Sequence, residues 1–163
     1  MIDYLLNNKE YTITGDGIFV NKIKKSSHQN SELYDTVGGT QLFERCRVPG
    51  TLSFFDFEIV KAKVFSNINF NNKVILDLGC GDGRFTYEFL KNPKTKVICV
   101  DSNYESLLRL KKNIKLAFDD TRVILLNEDI LNLPRFSEKV DVVWAFESLY
   151  YLDSDYKKGI NIV

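Results

Sequence analysis

Val74-Ile75-Leu76-Asp77-Leu78-Gly79-Cys80-Gly81-Asp82-Gly83 is the stretch that decides the fold. Its first three residues form a short, wholly apolar run, as expected of a parallel strand covered on both faces. Three glycines then fall at alternate positions. A turn without Cβ atoms lets main chain approach a ligand closely, and lets φ turn positive. Arg84 to Lys91 reads as a helix, closed by Pro93. A helix that begins just after such a turn aims its free N–H groups and positive dipole end at whatever the turn holds.

Working outward, the alternation continues. Lys96-Val97-Ile98-Cys99-Val100 is a second strand, ending at Asp101. Ser102 or Asn103 caps a helix that carries Leu107, Leu108, Leu110 and Ile114. Val123 to Leu126 is a third strand and Val140 to Phe146 a fourth, and Asp153 or Ser154 opens a helix that runs to the chain end. Strand–helix alternation predicts an α/β fold with right-handed crossovers and a parallel sheet. Ligands of such sheets bind beyond the carboxyl ends of the strands, where strand order reverses. The glycine turn, Asp101, Asp129 and Phe146-Glu147 all fall at those ends.

Spacing separates two classes of cofactor. Dinucleotide folds use Gly-x-Gly-x-x-Gly around a pyrophosphate. Here the third glycine comes one residue early, at 83, and arginine follows at 84. Asp77 also stands two residues before Gly79. A carboxylate there repels a pyrophosphate and attracts an ammonium group. Asp101, 22 residues after Gly79, ends the next strand, where a carboxylate can accept from ribose hydroxyls. The loop therefore suits a ligand with a cationic amino-acid end and a ribose, such as S-adenosyl-L-methionine, better than a nicotinamide dinucleotide. The plainer alternatives are a tight turn with no ligand, and an Asp101 that merely caps the next helix.

With these residues in view, the chain resembles the class I S-adenosylmethionine-dependent methyltransferases, a Rossmann-like family. Residues 74–83 resemble the first motif. Val97-Ile98-Cys99-Val100-Asp101-Ser102 resembles the second-strand motif, Glu128-Asp129-Ile130 the acid-bearing loop after strand three, and Val140 to Glu147 strand four. The likeness spans roughly residues 73–152, with four motifs in order. It implies that Gly79 and Gly81, with Cys80 between them, give main-chain access to the methionine moiety. It places Asp77 near the amino group and Asp101 on the ribose. Asp129 would accept from the adenine amino group, with the Ile130 amide facing the ring and Ser102 or Asn103 along it. Phe146 and Glu147 would stand where the methyl group meets its acceptor. The structural alternatives are that Asp129 caps a short turn and that Phe146 belongs to the core.

Methyl transfer from a sulfonium is an in-line displacement with a neutral leaving group, so positioning and desolvation supply most of the catalysis. A single histidine is then no obstacle. Where the acceptor must lose a proton, Glu147 is the nearest catalytic base in sequence, with Tyr150 or Tyr151 behind it. The family's sheet has seven strands and this chain supplies four. The expectation is a C-terminally incomplete domain with an open edge at strand four, which favours self-association or a covering partner. The alternative is that the N-terminal residues wrap round that edge. The acceptor is expected to be a small molecule. Strand four ends Ala145-Phe146-Glu147-Ser148 and lacks the Asn/Asp-Pro-Pro-Tyr/Phe motif of methyltransferases that modify nucleic-acid and glutamine amino groups. A non-catalytic methyltransferase-like fragment that works through protein contacts is the reading from a different class.

Composition sets the remaining bounds. The 163 residues carry 22 basic and 22 acidic side chains, with 44% hydrophobic residues, which is the make-up of a globular chain. Zero net charge argues against nucleic-acid or polybasic membrane binding. No apolar run approaches the ~20 residues that span a bilayer. Cys46, Cys80 and Cys99 are odd in number and widely spaced, which reads as reduced thiols in the cytoplasm. With no close cysteine pair and only His28, no metal site is expected.

Two segments are read as domains: an N-terminal α+β extension over 1–70 and a cofactor-binding domain over 71–163. In the extension, Tyr11 to Thr14 and Ile18 to Val20 flank Gly15-Asp16-Gly17 as a hairpin. Lys22 to Ser31 reads as a polar loop. Leu52, Phe55, Ile59, Val60 and Val64 predict a helix capped by Thr51 or Ser53, packed through that apolar set. Residues 34–49 are read either as a lid hinged at Gly38-Gly39 or as a structural cover.

Overall fold

A computed structural model describes residues 11–22, 42–136 and 139–149. His28, Lys24, Lys25, residues 34–41 of the lid reading, Tyr150, Tyr151 and the helix expected after Asp153 lie outside them. The described chain runs β1 (Tyr11–Ile13), β2 (Phe19–Asn21), α1 (Leu42–Arg45), α2 (Leu52–Lys63), β3 (Val74–Leu78), α3 (Thr86–Leu90), β4 (Lys96–Asp101), α4 (Tyr104–Lys115), β5 (Val123–Asn127) and β6 (Val142–Ala145). The six strands form one sheet in the order β1-β2-β5-β4-β3-β6. Every pair is parallel except the β1–β2 hairpin.

From β3 the chain steps to β4 and β5 in one direction, then returns to lay β6 on the other side of β3. Strand order therefore reverses between β3 and β6, and the glycine turn leaves the carboxyl end of β3 at that point. The strands match the sequence reading, except that β6 is shorter than residues 140–146. The Asp141 carboxylate accepts from the Val74 N–H at 2.8 Å and from Lys73 Nζ at 3.2 Å, which pins the start of β6 to the start of β3.

Alternate residues of the central strands bury opposite faces. Ile75, Val97, Cys99 and Leu125 enter one core with Leu107, Leu110 and Ile114 of α4 and Phe89 of α3. Leu76, Leu78, Ile98, Val100, Ile124 and Leu126 enter the other with Phe19 and Ile130. Of the two caps expected for α4, Ser102 and Asn103, the structure uses Asn103, whose Oδ1 accepts from the Ser106 N–H at 2.8 Å.

The N-terminal part joins this architecture. Its hairpin extends the sheet beyond β5, at the edge opposite β6. Among the described residues, β6 pairs with β3 alone and nothing from the N-terminus covers its other side. Thr51 caps α2, accepting from the Phe54 N–H at 3.1 Å. The packed face of α2 differs from the expected one. Leu52 is 83% exposed, and Phe55 and Ile59 also face outward, while Phe57, Val60 and Val64 enter the core. Apolar residues surround this helix, so periodicity does not choose its face. Phe57 does, seated 5.4 Å from the Phe85 ring.

That contact belongs to an aromatic cluster. Phe89 stacks on Phe65 at 5.3 Å and meets Phe70 at 5.1 Å and Trp144 at 5.5 Å. Phe89→Ala should lower unfolding stability by about 3–5 kcal/mol. Phe55→Ala, on the outer face of the neighbouring helix, should stay within about 0.5 kcal/mol. Urea unfolding of both variants checks the assignment, and equal losses would contradict it.

Candidate functional site

The three glycines of the turn have three different local reasons. All take positive φ: 68° at Gly79, 56° at Gly81 and 94° at Gly83. A Cβ at Gly79 would lie 2.4 Å from Ser148 Cβ, and one at Gly83 would lie 2.9 Å from Leu110 Cγ. Gly79 thus lets the segment after β6 lie on the turn, and Gly83 lets α4 pack beneath it. A Cβ at Gly81 would meet nothing within 4 Å. The space over Gly81 is open, as a ligand that touches the main chain requires.

The end of β4 anchors this turn. The Val100 carbonyl accepts from the N–H of Gly79 at 2.8 Å and of Cys80 at 3.1 Å. Asp101 Oδ2 accepts from the Gly81 N–H at 2.8 Å, and Oδ1 accepts from the Asn103 N–H at 2.8 Å. A carboxylate offers about four lone-pair sites, so Asp101 keeps capacity for ribose hydroxyls while it holds the loop. Burial pushes its carboxyl above the usual range, against the pull of both N–H groups.

Asp77 lies under the turn, 3% exposed, and Thr86 Oγ1 donates to its Oδ2 at 2.6 Å. Desolvation raises its pKa to about 7 despite that bond. Asp82 is buried too and rises to about 6 for the same reason, while its Oδ2 accepts from the Phe43 N–H at 2.9 Å. That bond seats α1 on the turn. Cys80 turns its thiol into the core, where burial raises its pKa well above the ordinary value.

At the end of β5, Asn127 Nδ2 donates to the carbonyls of Asp101 at 3.0 Å and Ser102 at 2.9 Å. The Glu128 N–H donates to the Asp101 carbonyl at 3.1 Å. Asp129 Oδ1 accepts from the Leu131 N–H at 2.9 Å, so it does cap the short turn that follows. Ile130 sends its side chain into the second core. Ser102 is exposed beside Asp101.

Across the turn, Glu147 pairs with Arg84 Nη2 at 3.0 Å. Glu147 has φ 55°, a left-handed backbone for a non-glycine residue. The Arg84 guanidinium lies 4.8 Å from the Phe85 ring centre and 5.1 Å from that of Phe146. Phe146 touches Phe85 at 4.9 Å, so it belongs to the margin of the aromatic cluster as well as to the strand end. Ser148 Oγ is buried and has no hydrogen-bond partner among the described residues.

The expected residues that the structure describes therefore gather at the carboxyl ends of the strands. Asp77, Gly79, Cys80, Gly81 and Asp101 lie about the turn. Ser102, Asp129 and Ile130 lie at the β4 and β5 ends, and Phe146 and Glu147 at the end of β6. Thr86, Asn127 and Ser148 were not singled out in the sequence. Thr86 reaches Asp77, Asn127 reaches the carbonyls of Asp101 and Ser102, and Ser148 lies against Gly79, and no local pattern marks such contacts.

Residues 75–161, more than half of the chain, match the family model described as "Methyltransferase domain", and the chain belongs to that family. No curated protein sequence matches it. Among solved structures, magnesium protoporphyrin IX methyltransferase from Synechocystis PCC 6803, with bound S-adenosylmethionine, is 16% identical. That match covers 84% of this chain and 71% of that one, with a TM-score of 0.57. The [4+2]-cyclase SpnF is 18% identical over 81% of this chain and 53% of its own, also at a TM-score of 0.57. A candidate S-adenosylmethionine-dependent methyltransferase from Listeria monocytogenes is 24% identical over 63% of this chain and 47% of its own, at a TM-score of 0.50. At these identities the likeness is one of fold. The chain spans about half the length of several of these structures. Family and fold make S-adenosylmethionine the cofactor, and the open space over Gly81, whose N–H is held by Asp101, leaves main chain accessible to such a ligand.

The buried acids give the cofactor-free protein a pH dependence of definite sign. Asp77 and Asp82 titrate at about 7 and about 6 when folded, against 3.8 as the ordinary value. The folded chain holds these protons more tightly, so their stabilising contribution is complete below about pH 4 and is lost as pH rises toward 7. Asp119 and Asp141 are shifted downward and act only below that window. The urea midpoint should fall from pH 5 to pH 8, and Asp77→Asn should flatten the fall. A midpoint that rises over this range would contradict the burial of these carboxyls in neutral form.

Proposed function

We propose that this chain is the catalytic domain, or the cofactor-binding part, of an enzyme that methylates a small-molecule acceptor with S-adenosylmethionine. The observation that carries the reading is the Asp101 carboxylate, placed at the end of β4 and bonded to the Gly81 N–H inside a turn left open above it. In this reading Gly79, Cys80 and Gly81 pass the methionine moiety along their main chain, and Asp77 stabilises its ammonium group from below. Asp101 takes the ribose hydroxyls. Asp129 accepts from the adenine amino group, with Ile130 and Ser102 bordering the ring.

The bound sulfonium supplies an activated methyl group and leaves as a neutral thioether. The protein's part is alignment and exclusion of water. Phe146 and the Phe85 ring give the transfer end an apolar wall, and Arg84 holds Glu147 at its rim. Glu147 is the carboxylate we assign to take a proton from an acceptor that must lose one. Three free, buried thiols support a reducing, cytoplasmic setting. No helix among the described residues is long and apolar enough to cross a membrane.

Calorimetric titration tests the reading. S-adenosylhomocysteine should bind and NAD should not. Asp101→Ala should weaken the adenosyl ligand about tenfold or more, since a hydrogen bond to a charged group is worth roughly 1.5–3 kcal/mol. Gly81→Val should do at least as much harm, because a β-branched side chain both fills the open space and disfavours positive φ. Normal affinity in both variants would reduce the loop to a turn.

A second reading is favoured by one observation: among the described residues β6 pairs with β3 alone, and Val143 is exposed. A strand edge of that kind recruits other chains. In that reading the chain is non-catalytic and works through protein contact. Failure to bind either ligand, together with self-association in light scattering, would favour it.

A further inference from the structure

The hairpin and the acid-bearing loop after β5 meet at one buried side chain. Glu128 is 9% exposed, and its partners among the described residues are hydrogen-bond donors. Tyr11 Oη donates to Glu128 Oε2 at 2.8 Å, and Asn21 Nδ2 donates to the same oxygen at 2.6 Å. The other oxygen, Oε1, accepts from the Asp129 N–H at 2.9 Å. Tyr11 and Asn21 are register partners across the hairpin, so both reach Glu128 from one end of it. Val20 is in register with Asn127 across β2 and β5, which brings that end to the ligand side of the sheet.

The hairpin is also braced at its turn. Tyr104 Oη lies 3.2 Å from Thr14 Oγ1 and donates to Asp16 Oδ2 at 3.1 Å, and Lys111 Nζ donates to the Asp16 carbonyl. Tyr104 opens α4 directly after Asp101, Ser102 and Asn103. The hairpin is thus tied to both segments that border the adenosyl end of the site.

A buried carboxylate is a costly way to join two elements, since its desolvation must be met by several donors. An apolar contact would hold a hairpin to a sheet edge equally well. What a fully bonded carboxylate adds is orientation, because its donors must arrive from set directions. Here the oriented group is the main chain of Asp129.

We infer that Glu128 is a positioning residue for recognition of the nucleobase. By holding the Asp129 N–H it sets the backbone from which the Asp129 carboxylate meets the adenine amino group. Through Tyr11 and Asn21 it makes that recognition depend on the hairpin, so the N-terminal strands are part of the cofactor site and not an appendage. This inference rests on the role proposed above for Asp129.

The test compares two ligands on the full chain: S-adenosyl-L-homocysteine, and S-inosyl-L-homocysteine, in which the amino group is replaced by a carbonyl. An oriented carboxylate accepts from the first and repels the second. The wild type should favour the adenosyl ligand at least about tenfold, the scale of one charge-assisted bond. Asp129→Asn presents an amide and should abolish or invert that ratio. Glu128→Gln turns an N–H₂ donor toward a neighbouring donor. It should bring the two affinities within about threefold of each other while the chain stays folded by circular dichroism.

Tyr11→Phe with Asn21→Ala leaves Glu128 in place and should lower the ratio in the same direction, so the inference stays exposed to test even where Glu128→Gln fails to fold. A merely structural Glu128 would weaken both ligands alike and keep the ratio, which overturns the inference. A ratio abolished by Asp129→Asn but kept by the Glu128 and hairpin variants overturns the inference alone. A ratio near one in the wild type, or untouched by Asp129→Asn, overturns the Asp129 reading and this inference with it.

Discussion

Both carboxylate oxygens of Asp101 face main-chain N–H groups, one from Gly81 in the turn after β3 and one from Asn103 at the start of α4. The neighbouring Val100 carbonyl takes the N–H groups of Gly79 and Cys80. A run with three glycines loses more backbone entropy on ordering than a glycine-free run of the same length. Left to itself it would not keep one conformation. The end of β4 supplies the bonds that make it do so, and parallel pairing with β3 along the whole strand delivers that end to the right height. Asn103 in turn caps α4, and Asn127 with the Glu128 N–H bring the end of β5 to the same place. The site is therefore less a pocket between independent loops than the common termination of three strands.

That dependence explains why so much was legible in the sequence. In a parallel sheet, alternating strand and helix signals locate the carboxyl ends, and the residues just after each strand become the site by topology alone. The short apolar runs and the cap at Asn103 are local signals, so they survive reading one segment at a time. What escaped are facts about pairs. The face that α2 buries was not readable, because Phe54, Phe55, Phe57, Ile59 and Val60 leave no polar side from which to infer an apolar one. An acid before the glycines was visible at position 77, but not its bond to Thr86, nor its depth. Glu147 could be placed at a strand end, but its pairing with Arg84 joins residues 63 apart. Cys80 stood within the motif, yet the turn buries its side chain in the core.

The N-terminal hairpin shows the same division. Its two strands and the glycine-containing turn between them are local and were readable. Its place in the fold was not, since two short strands can extend whichever edge is left unpaired. Edge β5 wins here because Glu128 offers acceptors to Tyr11 and Asn21 over separations of 117 and 107 residues. A three-residue strand such as β2 contributes few ladder bonds, so side-chain bonds to a buried charge weigh heavily in the choice. The opposite edge, β6, has no comparable acceptor among its described residues: Trp144 carries an indole N–H without a partner and the valines carry none.

The departures from ordinary local rules also cluster at the strand ends. Glu147 adopts a left-handed backbone that costs a non-glycine residue of order 1–3 kcal/mol. Asp77 is a carboxyl buried deeply enough to hold its proton near neutrality. Ser148 Oγ is buried without a hydrogen-bond partner among the described residues, against Gly79. Away from the strand ends the cores are ordinary, with aromatic and branched aliphatic side chains filling both faces of the sheet. A chain selected for stability alone would place glycine or asparagine at 147 and an apolar residue at 77. Keeping an acid at both means that the local penalties are offset by the sheet and the aromatic cluster beneath them.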